Sequence, residues 1–284
     1  MTGRQLPAHI AAALAGNTAD SAGQPWAGRD LSGQGNPLHT FDDDDGSADP
    51  RLLTALAELL APADQPGPRE QAVLAALRTA RVFIPIVAQL GEGVEGPTGQ
   101  HADKEADMAL VTLTAPDGRK ALPLFSSSGA LGRWHPGARP VAAYAARAAL
   151  AAAAENADLL VLDPGADITF VVRRPAAWAL ARHIDWVPSY QDASVAALVE
   201  GAAGRHPAIL SVALMPGPGV LTRAADGSIA SGGGPGPELR MDLQLRAGLA
   251  PTEVRNAVAS FRQHLLDLTD FVERVDSLEI KLIR

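Results

Sequence analysis

The chain has 284 residues, with 24 basic side chains against 32 acidic ones and a formal net charge of −8. That balance argues against a general nucleic-acid binder, which needs a basic face. Cysteine is absent, which excludes disulfides, thiolate-bound zinc, iron–sulfur clusters and thiol nucleophiles together. Apolar residues reach 47% but aromatics only 4%, so Ala, Leu and Val must fill the core of one large domain or two modest ones. Arg supplies all but three of the basic residues; with the abundant Gly and Pro, that skew reads as codon bias rather than adaptation to a ligand.

The apolar patch His9–Leu14 is short and alanine-rich, without the charged flank of a signal peptide. The longest alanine-rich run, Val141–Ala154, is interrupted by Arg147 and falls short of the roughly 20 apolar residues that span a bilayer. The expectation is a cytoplasmic protein without a membrane segment.

Residues 1–47 read as a flexible arm of Gly, Pro, Ser, Gln and Asp with no sustained period. Trp26 stands out within it, either docked on the body of the protein or exposed as an anchor for a partner. Asp49-Pro50 gives an N-cap and a first-position proline. Leu52, Leu53, Leu56, Leu59 and Leu60 then mark an amphipathic helix ending before Pro62. A second helix starts near Pro68. Strand character follows over Val82–Leu90, where Pro85 argues for an edge strand or a bulge. After a Gly/Glu-rich loop come Met108–Thr114, the turn Ala115-Pro116-Asp117-Gly118 and the return strand Lys120–Phe125.

Ser126–Ser128 can cap a short helix running to about Arg133. Val141–Glu155 reads as a helix, Leu159–Leu162 as a central strand, Ile168–Val172 as another strand, and Pro175 to about Arg182 as a helix. After Trp186-Val187-Pro188-Ser189 the order is helix (Ser194–Ala203), strand (Ala208–Met215), Gly/Pro loop, strand (Glu238–Arg246), helix (Pro251–Leu268) and strand (Ser277–Leu282). This order suits two helices over one face of an antiparallel sheet. The expected fold class is α/β (α+β): a mixed, mostly antiparallel sheet with flanking helices, then a small α+β domain. The domains are expected at 48–186 and 190–284.

Four clusters invite a chemical reading. Asp42–Asp45 fails the spacing of a calcium loop, since a frame with Gly46 at the sixth position puts Phe41 first and Leu52 twelfth. His101, Asp103, Glu105 and Asp107 alternate and could present oxygen and imidazole ligands from an extended chain, but they sit in a loop context that suits a solvated face. Ser126, Ser127 and Ser128, with His135 nearby, lack the glycines of a nucleophile elbow, and helix capping accounts for them. Arg173, Arg174, Arg182 and His183, beside Trp178 and Trp186, could grip an acidic peptide, stack on bases, or cover a domain junction. The glycines Gly217, Gly219, Gly232, Gly233, Gly234 and Gly236 match neither a phosphate loop nor a dinucleotide turn, and read as a flexible hairpin connection.

The blocks Val82-Phe83-Ile84-Pro85-Ile86-Val87, Asp117-Gly118, Ala121-Leu122-Pro123-Leu124-Phe125-Ser126-Ser127, Leu131, Trp134 and Leu159-Leu160-Val161-Leu162-Asp163-Pro164-Gly165 occur in an order that resembles the bacterial SseB-like family. The Trp26-Gly28-Arg29 arm and Phe41–Pro50 are similar to the leader of its actinobacterial-type members, and residues from Ser194 onward to their smaller C-terminal domain. The resemblance implies no catalytic residues, cofactor or metal. The resulting expectation is a non-catalytic interaction or regulatory module with a protein partner and no cofactor. The alternatives are a serine-dependent hydrolase or transferase, and a small-ligand sensor with its pocket between the domains.

Overall fold

The structure, a computed structural model, describes residues 41–61, 67–90 and 106–283. Trp26, His101, Asp103 and Glu105 lie outside the described residues. Residues 41–45 belong to a separate N-terminal unit and form a turn in which the Asp44 N–H donates to the Phe41 carbonyl at 3.1 Å. Asp42–Asp45 are exposed. Among the described residues no group of acidic and histidine side chains is arranged to hold a metal ion.

Residues 46–284 form one compact unit. Helix α1 (Pro50–Glu58) begins where the Asp49 carboxylate accepts the N–H groups of Arg51 and Leu52. It buries Leu52, Ala55 and Leu56 on one face. Helix α2 (Gly67–Leu77) packs Val73, Leu74 and Leu77 beside them. Strand β1 (Arg81–Leu90) follows, central in an antiparallel sheet of order β2-β1-β5, with β2 at Ala106–Leu110 and β5 at Arg139–Tyr144.

Three expectations fail here. Pro85 sits in a central strand, where it faces Pro140, so neither residue needs a ladder N–H at that rung. The last β1–β2 pair is Ile86 with Leu110, so the missing donor falls just beyond the ladder. Val141–Tyr144, read as helix from composition, instead completes this sheet against β1. The helix α4 starts only at Ala145 and runs to Ala154, with α3 (Ser128–Trp134) preceding β5. The expected strand Met108–Thr114 is also divided, because β3 (Leu113–Thr114) joins a different sheet.

That second sheet has the order β3-β4-β6-β7, with β4 at Lys120–Leu124, β6 at Leu159–Leu162 and β7 at Phe170–Val172. Its β4–β6 pair is parallel and the others antiparallel. The turn before β4 is the expected one: the Gly118 N–H donates to the Ala115 carbonyl and Gly118 has φ +87°. A bridge between Phe83 and Phe125, with hydrogen bonds of 2.8 and 2.9 Å, joins the two sheets. Helices α1, α2, α4 and α5 (Arg174–Ala181) supply side chains to one core with Leu122, Leu124, Leu160, Leu162 and Phe170.

The remaining chain forms a second core. Helices α6 (Ala193–Ala203), α7 (Pro251–Leu266) and α8 (Thr269–Arg274) bury Val199, Phe261, Leu265 and Phe271 against Leu239, Met241 and Leu243. The sheet has the order β12-β11-β8, with β8 at Ile209–Pro216, β11 at Leu239–Leu245 and β12 at Leu278–Ile283. It is mixed rather than antiparallel, since β11 and β12 run parallel and the α7–α8 crossover covers one face. Across the eight pairings of the described strands, only two are parallel, so the fold is α+β with mostly antiparallel sheets.

The Gly/Pro segment between β8 and β11 is not a loose connection. It contains the hairpin β9 (Leu221–Arg223) and β10 (Ile229–Ser231). Ala230 is fully buried in the first core, and Ser231 and Val171 hydrogen-bond across to Leu59 and Gly233. Gly233 has φ +69°, and a Cβ there would lie 2.3 Å from the Phe170 ring; at Gly219 it would lie 1.9 Å from the Gly236 backbone. Glycine is therefore required by space, and not only by turn geometry.

Leu122 is fully buried and Leu210 is 61% exposed. Leu122→Ala is expected to cost about 2–5 kcal/mol, and Leu210→Ala within about 0.5 kcal/mol of zero, measured as shifts in the urea unfolding midpoint.

Candidate functional site

The most densely built polar cluster lies where the first core meets the Gly/Pro segment and the second sheet. Arg173, at the end of β7, is 3% exposed. One of its terminal nitrogens donates to the carbonyls of Gly219, Gly234 and Gly236, and the other stands 3.6 Å from the Glu70 carboxylate on α2. Glu70 also accepts the Gly233 N–H at 2.9 Å and the Tyr190 hydroxyl at 3.1 Å. Glu238, 2% exposed, accepts the Asp276 N–H at 2.9 Å. The Asp276 carboxylate in turn takes a bidentate contact at 2.8 Å from Arg119 beside the β3–β4 turn. Arg174 donates to the carbonyls of Val272 and Val275.

Burial dominates the electrostatics. It pushes the Glu238 carboxyl up to about 7, against the opposing pull of the Arg173 charge and the Asp276 N–H. Glu70 is raised for the same reason, although Arg173, Gly233 and Tyr190 all favour its charged form. The Tyr190 phenol is held well above its ordinary value by burial and by the neighbouring carboxylate of Glu70. One guanidinium thus serves two buried carboxyl groups, an arrangement most easily accommodated when Glu238 keeps its proton. Arg173, Glu70 and Glu238 are themselves closed to solvent and join the layers.

The three serines have other partners than His135. The Ser127 hydroxyl caps α3 by accepting the Ala130 N–H at 3.0 Å. The Ser128 hydroxyl donates to the Gly46 carbonyl at 3.2 Å. The buried Ser126 places its N–H 2.8 Å from the Asp163 carboxylate, whose pKa burial raises against the Ser126 and Arg133 contacts. His135 is exposed, packs beside Trp134 and shares no hydrogen bond with the serines among the described residues.

The basic cluster divides in two. Arg173 and Arg174 face inward, as above. Trp178, 37% exposed on α5, has the Arg174 guanidinium 5.6 Å and the Arg182 guanidinium 5.9 Å from its ring. Beyond the helix end, His183 has φ +56°, and Ile184 (53%) and Val187 (42%) are exposed. A small groove of about 140 Å³ between α2 and α5 lies beside them, lined by Leu74, Arg78, Leu180, Ile184 and Trp186. Arg78 and Asp185 close one end as an ion pair. Sequence reasoning singled out the arginines and tryptophans but missed Glu70 and Glu238, which read as ordinary polar positions. Their one available signal was a carboxylate three and four residues before Val73 and Leu74 at Glu70, and one beside a strand start at Glu238.

Fold and site together define an α+β protein in which a two-sheet N-terminal part is tied by buried charges to a smaller α+β layer. Residues 54–179 match the family model of the SseB protein N-terminal domain, which supports the resemblance to the SseB-like family. The match begins inside α1, so it extends ahead of the strand at which the sequence resemblance starts. Neither the curated proteins nor the solved structures contain a match to the chain. Among the described residues no helix is long and apolar enough to cross a membrane.

A pH test follows from Glu238. Its native pKa lies above the ordinary carboxyl value of 4.5, so between these values the folded state binds more protons than the unfolded one. The stability this group contributes is largest at low pH and is lost as pH rises through about 7, with each pH unit crossed between the two values removing about 1.4 kcal/mol. Glu238→Gln keeps an acceptor for Asp276 and is expected to flatten the fall in stability between pH 5 and pH 8, read from urea midpoints across that range.

Proposed function

We propose that the chain is a two-domain, cytoplasmic bacterial protein that acts without catalysis, as an interaction or regulatory module for a protein partner. The observation that carries this reading is the exposed Trp178 on α5, with the Arg174 and Arg182 guanidiniums 5.6 and 5.9 Å from its ring, together with the exposed Ile184 and Val187 in the segment that follows the helix. Exposed Trp flanked by Arg is the chemistry that dominates binding energy at protein interfaces. The exposed Arg182 near Trp178 favours a partner segment that carries a carboxylate next to apolar side chains.

The serine contacts support the same reading, because the Ser127 hydroxyl is engaged in a helix cap and the Ser128 hydroxyl in a loop tether. The competing reading, a serine-dependent hydrolase, predicts a reactive hydroxyl at one of these positions.

Two measurements test the proposal together. Affinity purification from the native cell is expected to bring down one stoichiometric protein, with Trp178→Ala and Ile184→Asp each weakening that complex by about tenfold or more. An active-serine phosphonate is expected to leave the protein unlabelled. Specific labelling at Ser126, Ser127 or Ser128 would overturn the non-catalytic reading.

A further inference from the structure

Strand β12 is an edge strand, and among the described residues nothing pairs with its outer side. Leu239 donates its N–H to the Ser277 carbonyl at 3.1 Å. In a parallel ladder this turns the polar groups of the odd-numbered residues of β12 toward β11 and those of Leu278, Ile280 and Leu282 outward. The edge carries no proline, and its pairing with β11 runs in unbroken register from Leu278 to Ile283, so neither a proline nor a bulge interrupts it.

The side chains of β12 divide by face. Leu278, Ile280 and Leu282 lie abreast of the buried Leu239, Met241 and Leu243 and so project toward the helices. There Ile280 and Leu282 line an open groove of about 570 Å³ with Val254, Val258 and Leu266 of α7. Leu282 and Leu266 are 48% and 44% exposed. On the opposite face stand Glu279, abreast of Arg240, and Lys281, abreast of Asp242.

We infer that β12 pairs antiparallel with β12 of a second copy of the chain, about a twofold axis through Ile280. That register sets Ile280 against its own copy and Leu278 against Leu282 of the partner copy, so the outward N–H and C=O groups of all three residues find partners. It also sets Glu279 against Lys281 of the partner copy, twice. Charge selects the register: an axis through Lys281 would oppose two ammonium groups, and one through Glu279 two carboxylates, each destabilising in directly opposed positions. Across the join the row reads Arg240, Glu279, then Lys281 and Asp242 of the partner copy, alternating in sign throughout. The two three-stranded sheets become one of six strands, and the apolar groove along β12 continues into its counterpart. A closed, self-complementary contact of this kind is the commonest route to a homodimer. It involves no residue of the Trp178 surface and does not depend on the reading of that surface.

Light scattering after size exclusion, on the unaltered chain over a wide micromolar range, is expected to show a mass rising from one chain to two. Amide exchange at Leu278, Ile280 and Leu282 should slow as the dimer forms. Glu279→Lys and Lys281→Glu are each expected to weaken self-association about tenfold or more. An equimolar mixture of the two variants should dimerise again, because one then presents two carboxylates where the other presents two ammonium groups. Recovery on mixing also shows that both variants are folded. A mass of one chain at every concentration would overturn the inference, as would a dimer whose β12 amides exchange freely or one indifferent to both charge reversals.

Discussion

The position of Arg173 constrains more of this molecule than any other side chain. It is buried beside Glu70 and within reach of the field of Glu238, and it donates to three glycine carbonyls from a segment that arrives much later in the chain. Removing a guanidinium and two carboxyl groups from water is costly, and the cost is offset only where every charge has close, well-directed partners. Here partners come from α2, from the segment preceding α6 through Tyr190, and from the Gly/Pro segment, while the buried Arg173 Nε has no hydrogen-bond partner among the described residues. The interaction works only if all of these elements are in place at once. A cluster of this kind specifies how layers meet more than it strengthens them.

The glycines are the other half of that constraint. Gly219 and Gly234 approach neighbouring backbone so closely that a Cβ would overlap it, and this closeness lets their carbonyls converge on one guanidinium. A hairpin that reads as a surface connection thereby becomes part of the first core, with Ala230 fully buried. The segment that matches the SseB N-terminal domain model is consequently packed against chain that lies outside it. Its two sheets are joined by the Phe83–Phe125 bridge, and the parallel β4–β6 pairing brings Ser126 next to Asp163.

The sequence by itself determined most of the local structure. Asp49-Pro50 starts α1, the Asp117-Gly118 turn sets the β3–β4 hairpin, and Ser127 caps α3, because capping and turn chemistry act within a few residues. The apolar periods placed α1, α2, α6, α7 and the strands Leu159–Leu162 and Leu239–Leu245, and the order of blocks carried the family. The tertiary structure alone decided the rest. Val141–Tyr144 is strand because β1 has an open side, and neighbouring strands override the helix preference of an alanine-rich run. Pro85 is central because its missing donor falls where β2 has ended. Glu70 and Glu238 become buried partners of Arg173 although both lie far from it along the chain, and no local period encodes a contact whose members are brought together only by the packing of whole layers.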